Sequence, residues 1–404
     1  MGSFKDVFDL KESTSLIEGL ILDVIPDIDI TKLSIADGGE YSHEVILENI
    51  VCDVIQVDNV LTPYKTETNS SYLIFEDGSV FISSSHILRI LPENDDLKNP
   101  LNLTSFGLGQ LIKDAIDKGA RNIFIGLGGT NTVDAGIGML QALGVQFQGR
   151  NKKQLYPVDG KYFSGSDLQN IQDIDYESLK KKYKNISIIS ICDGNIGIDE
   201  MQIPNNQKIG NKYYLDKDYI NEVLTIAINR YSEMVSRRTN LVQNFKQPFY
   251  GVAGGINISL KCLFHTDMKS GIDYFINITD LGKKVQEADL VITGEGKLDN
   301  SLGGKTPIGI SKLAKIYGKP VLYMVGSVSK ELEKYFVGDI SYNFPLEIKQ
   351  NGVSAIISCH NYNANANANA QRDKNSNYDT YRTNTPIVFK KALKEYLLEN
   401  GYGV

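Results

Sequence analysis

A run of small and polar residues near the middle of the chain has the composition of an anion-binding loop. It follows the apolar stretch 123–126 and precedes apolar residues at helical spacing from Ile137 onwards. Glycines let a ligand approach the backbone, and the start of a helix offers unpaired N–H groups and the positive end of its dipole. Phosphate is the usual anion in such a loop. The residues are Gly128, Gly129, Thr130, Asn131, Thr132 and Asp134.

Taken alone, this run is equally well interpreted as a tight turn that binds nothing, since it matches neither the dinucleotide-binding pattern nor the P-loop pattern. Three further groups of glycines and acidic residues also follow apolar runs, and ligands of parallel α/β proteins bind at the carboxyl ends of strands. Helix capping and turn formation are the alternative roles for the acidic residues. The three groups are Asp37 with Gly38 and Gly39; Asp193; and Thr293, Gly294, Glu295, Gly296, Asp299 and Lys305.

The elements that would position these groups alternate between helix and strand, which is typical of a parallel α/β layer. Pro26 ends the first helical pattern, and a polar connection separates most of the later elements. The apolar spacing predicts strands over 30–36, 123–126, 186–194, 289–296 and 320–326. It predicts helices over 4–25, 108–118, 215–244, 280–288, 306–317 and 387–399.

Residues 52–85 differ from this pattern because they are rich in β-branched and aromatic residues, with a hairpin signal at residues 76–78. We therefore expect two α/β domains, with the active site in the cleft between them. Residues 1–50 and 278–404 would form a Rossmann-like parallel-sheet domain, and residues 51–277 an inserted mixed α/β domain. Alternating Asn and Ala over 363–370 predict a flexible low-complexity insertion over 361–385.

The overall composition excludes several classes of protein. The formal net charge of −7 offers no basic excess for nucleic acid. Four cysteines without CxxC spacing argue against a zinc site and a disulfide framework, and they favour a reducing compartment. Four scattered histidines give little support to a His-centred catalytic triad. With no signal peptide and no apolar run of about 18 residues, we expect a cytoplasmic protein without membrane contact.

Taken in order, the four groups resemble the motifs of the class I glycerate 2-kinase family. Residues 36–40 (ADGGE) are similar to its ADGGEGT motif, and residues 126–144 (GLGGTNTVDAGIGMLQALG) to GIGGSATNDGGAGMLQALG. Residues 293–309 (TGEGKLDNSLGGKTPIG) are similar to TGEGRLDGQTxxGKAPxG. Shorter matches join residues 3–5 (SFK) to the end of DSFK, 106–112 (FGLGQLI) to YGTGELI, 192–193 (CD) to CDVxNPL, and 253–256 (AGGI) to AAGGLG.

The resemblance implies a two-domain kinase that uses ATP and Mg²⁺ to phosphorylate the 2-hydroxyl of glycerate, or of a closely related small hydroxy acid, giving 2-phosphoglycerate and ADP. Asp193 is the candidate base on the substrate hydroxyl, with Lys5 as a second catalytic residue. Glu295 and Asp299 are the candidates for holding Mg²⁺, which prefers a few carboxylates together with phosphate and water. Residues implied in nucleotide and phosphate binding are Gly128, Gly129, Thr130, Asn131, Thr132, Thr293, Gly294, Glu295, Gly296 and Lys305. Those implied in substrate binding are Asp37, Gly38, Gly39, Asp134, Asp299 and Ser3.

The chain also departs from the family motifs. Tyr41 and Ala135 replace glycines, Val133 replaces an asparagine, and Ile82 stands where the family has a glutamate. Because the chain begins inside its first motif, we expect the sheet to lack the family's usual first strand, unless the start codon is misassigned. The departures leave open a catalytically silent member that binds a nucleotide or metabolite as a sensor or partner protein. A homodimer is a possible assembly.

Overall fold

The computed structural model describes residues 8–89, 97–201, 216–239, 244–298, 306–336, 338–359 and 374–402. The chain divides into two compact units. The larger unit covers residues 37–274, and the smaller unit combines residues 1–36 with residues 275–404. Residues 37–50, which the sequence analysis placed in the discontinuous domain, belong to the larger unit because the helix Ser42–Asn49 packs against its sheet.

The larger unit is built on a mixed sheet. Its strands are β1 (Cys52–Leu61), β2 (Glu67–Phe75), β3 (Val80–Ser83), β4 (Asn122–Leu127), β5 (Gln146–Gln148), β6 (Asp173–Asp175), β7 (Ser187–Cys192) and β8 (His265–Ser270). Six of them form one sheet in the order β1-β2-β3-β4-β7-β8, while β5 and β6 pair separately. The predicted antiparallel section is confirmed in β1, β2 and β3, with Gly78 at positive φ in the hairpin turn. Strands β3, β4, β7 and β8 are parallel, so their carboxyl ends share one edge of the sheet.

The helices of the described chain include one at each of the six ranges predicted from the apolar spacing. They are α1 (Leu10–Leu22), α2 (Ser42–Asn49), α3 (Ser84–Ile87), α4 (Phe106–Asp117), α5 (Ile137–Ala142), α6 (Glu177–Lys182), α7 (Lys217–Thr239), α8 (Ile256–Leu263), α9 (Gly271–Ile278), α10 (Leu281–Glu287), α11 (Thr306–Ile316), α12 (Leu346–Gln350) and α13 (Lys374–Glu399). Helix α4 is representative, because Leu108, Leu111, Ile112 and Ala115 fall on one face and are all buried in the core of the larger unit.

The smaller unit contains a four-stranded sheet of β9 (Val291–Leu298), β10 (Val321–Val328), β11 (Ile340–Ser341) and β12 (Ala355–Ser358), in the order β11-β12-β10-β9. Strands β9, β10 and β12 are parallel, and the short β11 is antiparallel to β12. Helices α1 and α13 contribute to one apolar core of this unit through buried residues such as Ile17, Ile21, Phe389 and Leu393. The predicted crossover units β9-α11-β10 are therefore confirmed.

Three sequence predictions differ from the structure. Residues 30–36 form no strand, because no strand in the described part of the chain bonds to their backbone. Strand β8 was not predicted from its polar sequence, and it forms because β7 supplies a parallel partner along its whole length. Residues 374–385, predicted to be flexible, lie in α13, whereas 361–373 lie outside the described residues. None of the described helices is long and apolar enough to cross a membrane.

Candidate active site

The sequence-predicted groups of the larger unit converge at the carboxyl ends of its parallel strands. Gly128 follows β4, Asp193 follows β7, and Ser84 and Ser85 follow β3. Gly271 follows β8, and a Cβ at this position would lie only 1.5 Å from the main-chain oxygen of Asp37. The turn that begins at Asp37 therefore reaches the same edge of the sheet.

Asp193 is held by close packing between backbone segments. A Cβ placed on Gly128 would lie 2.1 Å from Asp193 Oδ2, and one on Gly38 would lie 2.3 Å from the main-chain oxygen of Ile191. Real Cβ atoms do not come so close to other atoms, so both positions require glycine. The amide of Asp193 also donates to the main-chain oxygen of Leu127, at 3.1 Å. The half-buried carboxylate thus occupies space that Gly128 leaves open.

The turn at residues 37–39 is tied to the loop that follows β3. Asp37 Oδ1 accepts a hydrogen bond of 3.3 Å from the Gly39 amide. The main-chain oxygen of Gly39 accepts from Ser42 Oγ at 2.8 Å and from Ser85 Oγ at 3.3 Å. Ser42 opens α2, so the turn and this helix are fixed together against the sheet edge.

The loop after β4 carries buried polar atoms without partners. The Asn131 amide donates to the main-chain oxygen of Leu88, and Asn131 Nδ2 donates to the hydroxyl of Tyr64 at 2.6 Å. In contrast, Thr130 Oγ1, Asn131 Oδ1 and Thr132 Oγ1 are buried and have no hydrogen-bond partner among the described residues. A buried polar atom without a partner costs about 1–3 kcal/mol, and most such atoms in native proteins are paired. Three in consecutive residues indicate a surface that a ligand or water completes.

Asp134 is fully buried and holds the other end of this loop. Its Oδ2 accepts from the Ser105 amide and Ser105 Oγ, both at 2.8 Å, and from the Gly138 amide at 3.3 Å. Its Oδ1 accepts from the Gly136 amide at 3.0 Å. Burial raises the pKa of the Asp134 carboxyl, while the donors from Ser105, Gly136 and Gly138 act in the opposite direction. These donors lie at the start of α5 and, for Ser105, immediately before α4.

The departures from the family motifs leave the loop backbone in glycine-like conformations. Ala135 has φ of +49° and Tyr41 has φ of +64°, both in the left-handed region. The Ala135 amide donates to the main-chain oxygen of Gly254 at 3.0 Å. Val133 is fully buried in the apolar core of the larger unit, and Ile82 is buried within β3. The Val133 side chain therefore belongs to the core.

The smaller unit presents a second group within β9. The strand includes the predicted residues Thr293, Gly294, Glu295 and Gly296, which the sequence analysis had expected to follow the apolar run. The Tyr323 hydroxyl, on the neighbouring strand β10, donates a hydrogen bond to Glu295 Oε1. Thr293 Oγ1 is buried without a hydrogen-bond partner in the described ranges. Strand β9 therefore combines an anchored carboxylate with an unsatisfied hydroxyl.

Comparison with known proteins identifies the family of this chain. A model of the glycerate kinase family matches residues 1–372. The chain belongs to the glycerate kinase family. The glycerate kinase of Haemophilus influenzae is 32% identical over 360 residues, which span 88% of this chain and 92% of that protein. The glycerate 2-kinase of Escherichia coli is 29% identical over 366 residues, 88% of each chain. A solved structure from Salmonella typhimurium LT2, provisionally assigned as glycerate kinase 2, matches with a TM-score of 0.65 at 26% identity, over 99% of this chain and 97% of that chain.

Within this glycerate kinase family member, the structure brings most of the predicted residues into two groups. The larger unit gathers Asp37, Gly38, Gly39, Gly128, Gly129, Thr130, Asn131, Thr132, Asp134 and Asp193. The smaller unit gathers Thr293, Gly294, Glu295 and Gly296. Ser3, Lys5, Asp299 and Lys305 lie outside the described residues, so their predicted roles stay predictions. The predicted cleft between the two domains also stays a prediction.

Sequence reasoning missed several residues of these groups. Ser85 bonds the turn at residues 37–39, and a Cβ on Gly129 would lie 3.0 Å from Cγ of Glu40. In the sequence, nothing distinguishes Tyr323 from other aromatic residues of apolar strands. Glu40 had a signal, because it is the last residue of the ADGGE match. The other two had none, since their partners are distant in sequence.

Two histidines that seemed scattered in the sequence lie together beside the turn at residues 37–39. The rings of His43 and His86 stack with centroids 4.3 Å apart, and His86 Nε2 lies 3.3 Å from Glu44 Oε1. Burial, followed by the charge of His86, lowers the pKa of His43 to about 4. His43 is therefore neutral near pH 7.

Proposed function

We propose that this member of the glycerate kinase family transfers the γ-phosphoryl group of ATP to the 2-hydroxyl of glycerate, or of a closely related small hydroxy acid, giving 2-phosphoglycerate and ADP. The observation that carries the proposal is the close approach of the Asp193 carboxylate to the loop that begins at Gly128. The relatives support it, since several are named glycerate kinase and one is named glycerate 2-kinase.

Asp193 fits the role of the base on the substrate. Its carboxylate would accept the proton of the 2-hydroxyl as the hydroxyl oxygen bonds to phosphorus and the bond from phosphorus to the leaving oxygen breaks. Close packing against Gly128 and Gly39 limits the positions the carboxylate can adopt. A base fixed in this way helps to align the attacking oxygen, and alignment is a large part of catalysis of phosphoryl transfer.

The loop after β4 fits the remaining polar groups of such a substrate. The hydroxyls of Thr130 and Thr132 can donate to carboxylate or phosphate oxygens. The Nδ2 group of Asn131 already bonds Tyr64, so its Oδ1 is left as an acceptor for a hydroxyl or water. We assign Asp134 to holding this loop, because all of its hydrogen-bond donors lie in the loop, in the start of α5 and at Ser105.

ATP and Mg²⁺ fit the second group. Thr293 Oγ1 lacks a partner and Glu295 supplies a carboxylate, both on β9. Across the described ranges no three His, Cys, Asp or Glu side chains come together as a metal site. Mg²⁺ commonly takes one or two carboxylates and fills its other positions with phosphate oxygens and water, so Glu295 with the predicted Asp299 is a sufficient protein contribution. When bound, Mg²⁺ would neutralise negative charge on the transferred phosphate.

The silent-member alternative rested on the departures from the family motifs. Val133 lies in the apolar core, and Tyr41 and Ala135 keep left-handed backbone conformations. None of these positions removes a polar group from the loop surface formed by residues 128–132. The alternative therefore has no specific support in the described site. The predicted homodimer and cytoplasmic location stay predictions.

A phosphoryl-transfer assay tests the proposal. The purified chain is incubated with ATP, Mg²⁺ and a panel of small hydroxy acids headed by D-glycerate, and ADP is measured. Coupling to enolase distinguishes the products, because enolase dehydrates 2-phosphoglycerate and leaves 3-phosphoglycerate unchanged. We expect enolase-coupled turnover with glycerate. ATP binding without turnover on any acid would support the silent member instead.

The variant Asp193→Asn tests the assigned base. We expect a loss of about 10²–10⁴-fold in turnover, the usual contribution of a general base. Asp199→Asn is the matched control, since Asp199 is an exposed carboxylate in the same segment that pairs with Lys246 at 2.7 Å. Unchanged turnover of Asp193→Asn would show that another group accepts the proton.

A further inference from the structure

Tyr323 and Glu295 form a polar pair inside an otherwise apolar part of the smaller unit. Tyr323 is fully buried on β10, and its neighbours Leu322, Met324 and Val325 are equally buried. In the parallel register Tyr323 lies beside Thr293, and Glu295 follows two positions further along β9. Alternate residues of a strand point to the same face, so Thr293, Glu295 and Tyr323 share one face of the sheet.

The packing of the Tyr323 ring does not require its hydroxyl. The ring belongs to an apolar cluster that includes Ile308, Phe344 and Ile356. A phenylalanine would fill the same space without bringing a polar atom into the core. A buried tyrosine hydroxyl needs a partner, and here the partner is the carboxylate of the TGEG segment.

The hydrogen bond restrains the Glu295 side chain. A hydrogen bond to a carboxylate is stronger than one between neutral groups. It fixes the rotamer of a flexible side chain, because the donor comes from a rigid central strand.

We propose that Tyr323 is a positioning residue, which holds Glu295 in one rotamer so that this carboxylate can bind the Mg²⁺ of the nucleotide. The inference rests on the proposed function, in which Glu295 is a magnesium candidate. Tyr323 itself contacts neither substrate nor nucleotide in this assignment. Its effect passes through Glu295 alone.

Binding of Mg·ADP measured by calorimetry tests the proposal without using turnover. The test variant is Tyr323→Phe, and Tyr396→Phe is the matched control, because Tyr396 is a buried tyrosine of the same unit in a different apolar cluster. Losing a hydrogen bond to a charged group typically weakens an interaction about tenfold or more. We expect this loss in Mg·ADP affinity for Tyr323→Phe and no loss for the control or for metal-free ADP.

A double variant separates positioning from a general structural effect. The double variant of Tyr323→Phe with Glu295→Gln should bind Mg·ADP no more weakly than Glu295→Gln alone. Equal Mg·ADP affinity of Tyr323→Phe and the wild type would overturn the inference, as would fully additive losses in the double variant.

A second variant keeps the inference testable if Tyr323→Phe fails to fold. Glu295→Gln retains Tyr323, and the inference requires it to weaken Mg·ADP binding. Wild-type behaviour of Glu295→Gln would overturn the inference. The proposed function is judged separately, because glycerate turnover and the effect of Asp193→Asn do not depend on which carboxylate binds Mg²⁺.

Discussion

The two units position an acidic residue of the candidate site in different ways. In the larger unit, Asp193 is positioned by backbone packing, with Gly128 and Gly39 leaving space for its carboxylate. In the smaller unit, Glu295 lies within β9 and is bonded by a side chain of the neighbouring strand. The first arrangement depends on the absence of side chains, and the second depends on one particular hydroxyl. Different substitutions should therefore disrupt the two arrangements.

The substitution Gly128→Ala is the strongest test of the first arrangement. The new Cβ would lie 2.1 Å from Asp193 Oδ2, so the carboxylate or the loop must move. Because a displacement of about 1 Å can cost about 10²-fold in rate, we expect at least that loss of turnover. The control is Gly149→Ala in the same unit, where the nearest atom is 3.5 Å away in ordinary contact.

If turnover of Gly128→Ala stays near the wild-type level, the contrast between the two units is wrong, because Asp193 would then not depend on glycine for its position. Gly128→Ala therefore tests the first arrangement through turnover, whereas Tyr323→Phe tests the second through Mg·ADP affinity.

Val133→Asn tests whether the departures from the family motifs lie outside the binding surface. Val133 is fully buried in the apolar core, and an amide placed there would lack partners. Burying such a group costs about 1–3 kcal/mol, so we expect the larger unit to lose on the order of 2 kcal/mol of unfolding free energy. Hydrogen exchange resolved by peptide would report this loss in residues 37–274 and not in the smaller unit.

A stable Val133→Asn variant with altered choice of hydroxy acid would contradict this assignment. It would mean that position 133 contacts the substrate, as the family motif with its asparagine suggests. Val133→Ala is a suitable companion, since it removes packing volume without adding a polar group.

The sequence predicted those parts of the fold that have local causes. Strands β4, β7 and β10 are mainly apolar, and α4 shows a helical period. The predictions failed where another segment decides the outcome. Residues 30–36 are apolar but have no strand partner in the described chain, whereas the polar β8 has one in β7.

The same distinction applies to the candidate site. The glycines at 38 and 128 are required by contacts with the strand ends, so their pattern could be recognised in the sequence. The bond from Tyr323 to Glu295 depends on the register of β9 and β10, which the sequence does not encode locally. The stacking of His43 on His86 was missed for the same reason, because 43 residue numbers separate them and two elements must first pack.

The neutral, buried His43 predicts an acid-sensitive larger unit. Burial and the charge of His86 lower its pKa from 6.5 to about 4, although the charge of Glu44 acts in the opposite direction. The unfolded chain therefore takes up a proton below pH 6.5 that the folded chain accepts only near pH 4. The free energy of unfolding therefore falls as the pH drops through this window. One pKa unit corresponds to about 1.4 kcal/mol. Because the neighbouring side chains are partly exposed to solvent, we expect a reduced loss on the order of 2 kcal/mol.

Peptide-resolved hydrogen exchange at pH values between 4 and 7 measures this effect, after correction for the intrinsic exchange rate. Protection in the larger unit should decline below pH 6.5, and His43→Gln should reduce the decline. An equal decline in the variant would assign the acid sensitivity to other carboxylates. A decline confined to the smaller unit would contradict the prediction outright.

Of these variants, Ala135→Gly should change the free energy of unfolding least, and the sign of that change is informative. Ala135 has φ of +49°, a conformation in which alanine is strained by about 1–2 kcal/mol and glycine is not. Glycine loses more conformational entropy on folding, at a cost of roughly 0.5–1 kcal/mol, and the variant loses a buried methyl group. The terms nearly cancel, so we expect a change within about 1 kcal/mol, measured by urea unfolding.

Turnover of Ala135→Gly should stay at the wild-type level, because the hydrogen bonds that the Ala135 backbone makes with Gly254 and Ser259 do not involve its side chain. A large loss of turnover would instead show that the methyl group itself sets the position of the loop from Gly128 to Thr132, and the larger unit would then depend on a side chain as the smaller unit does.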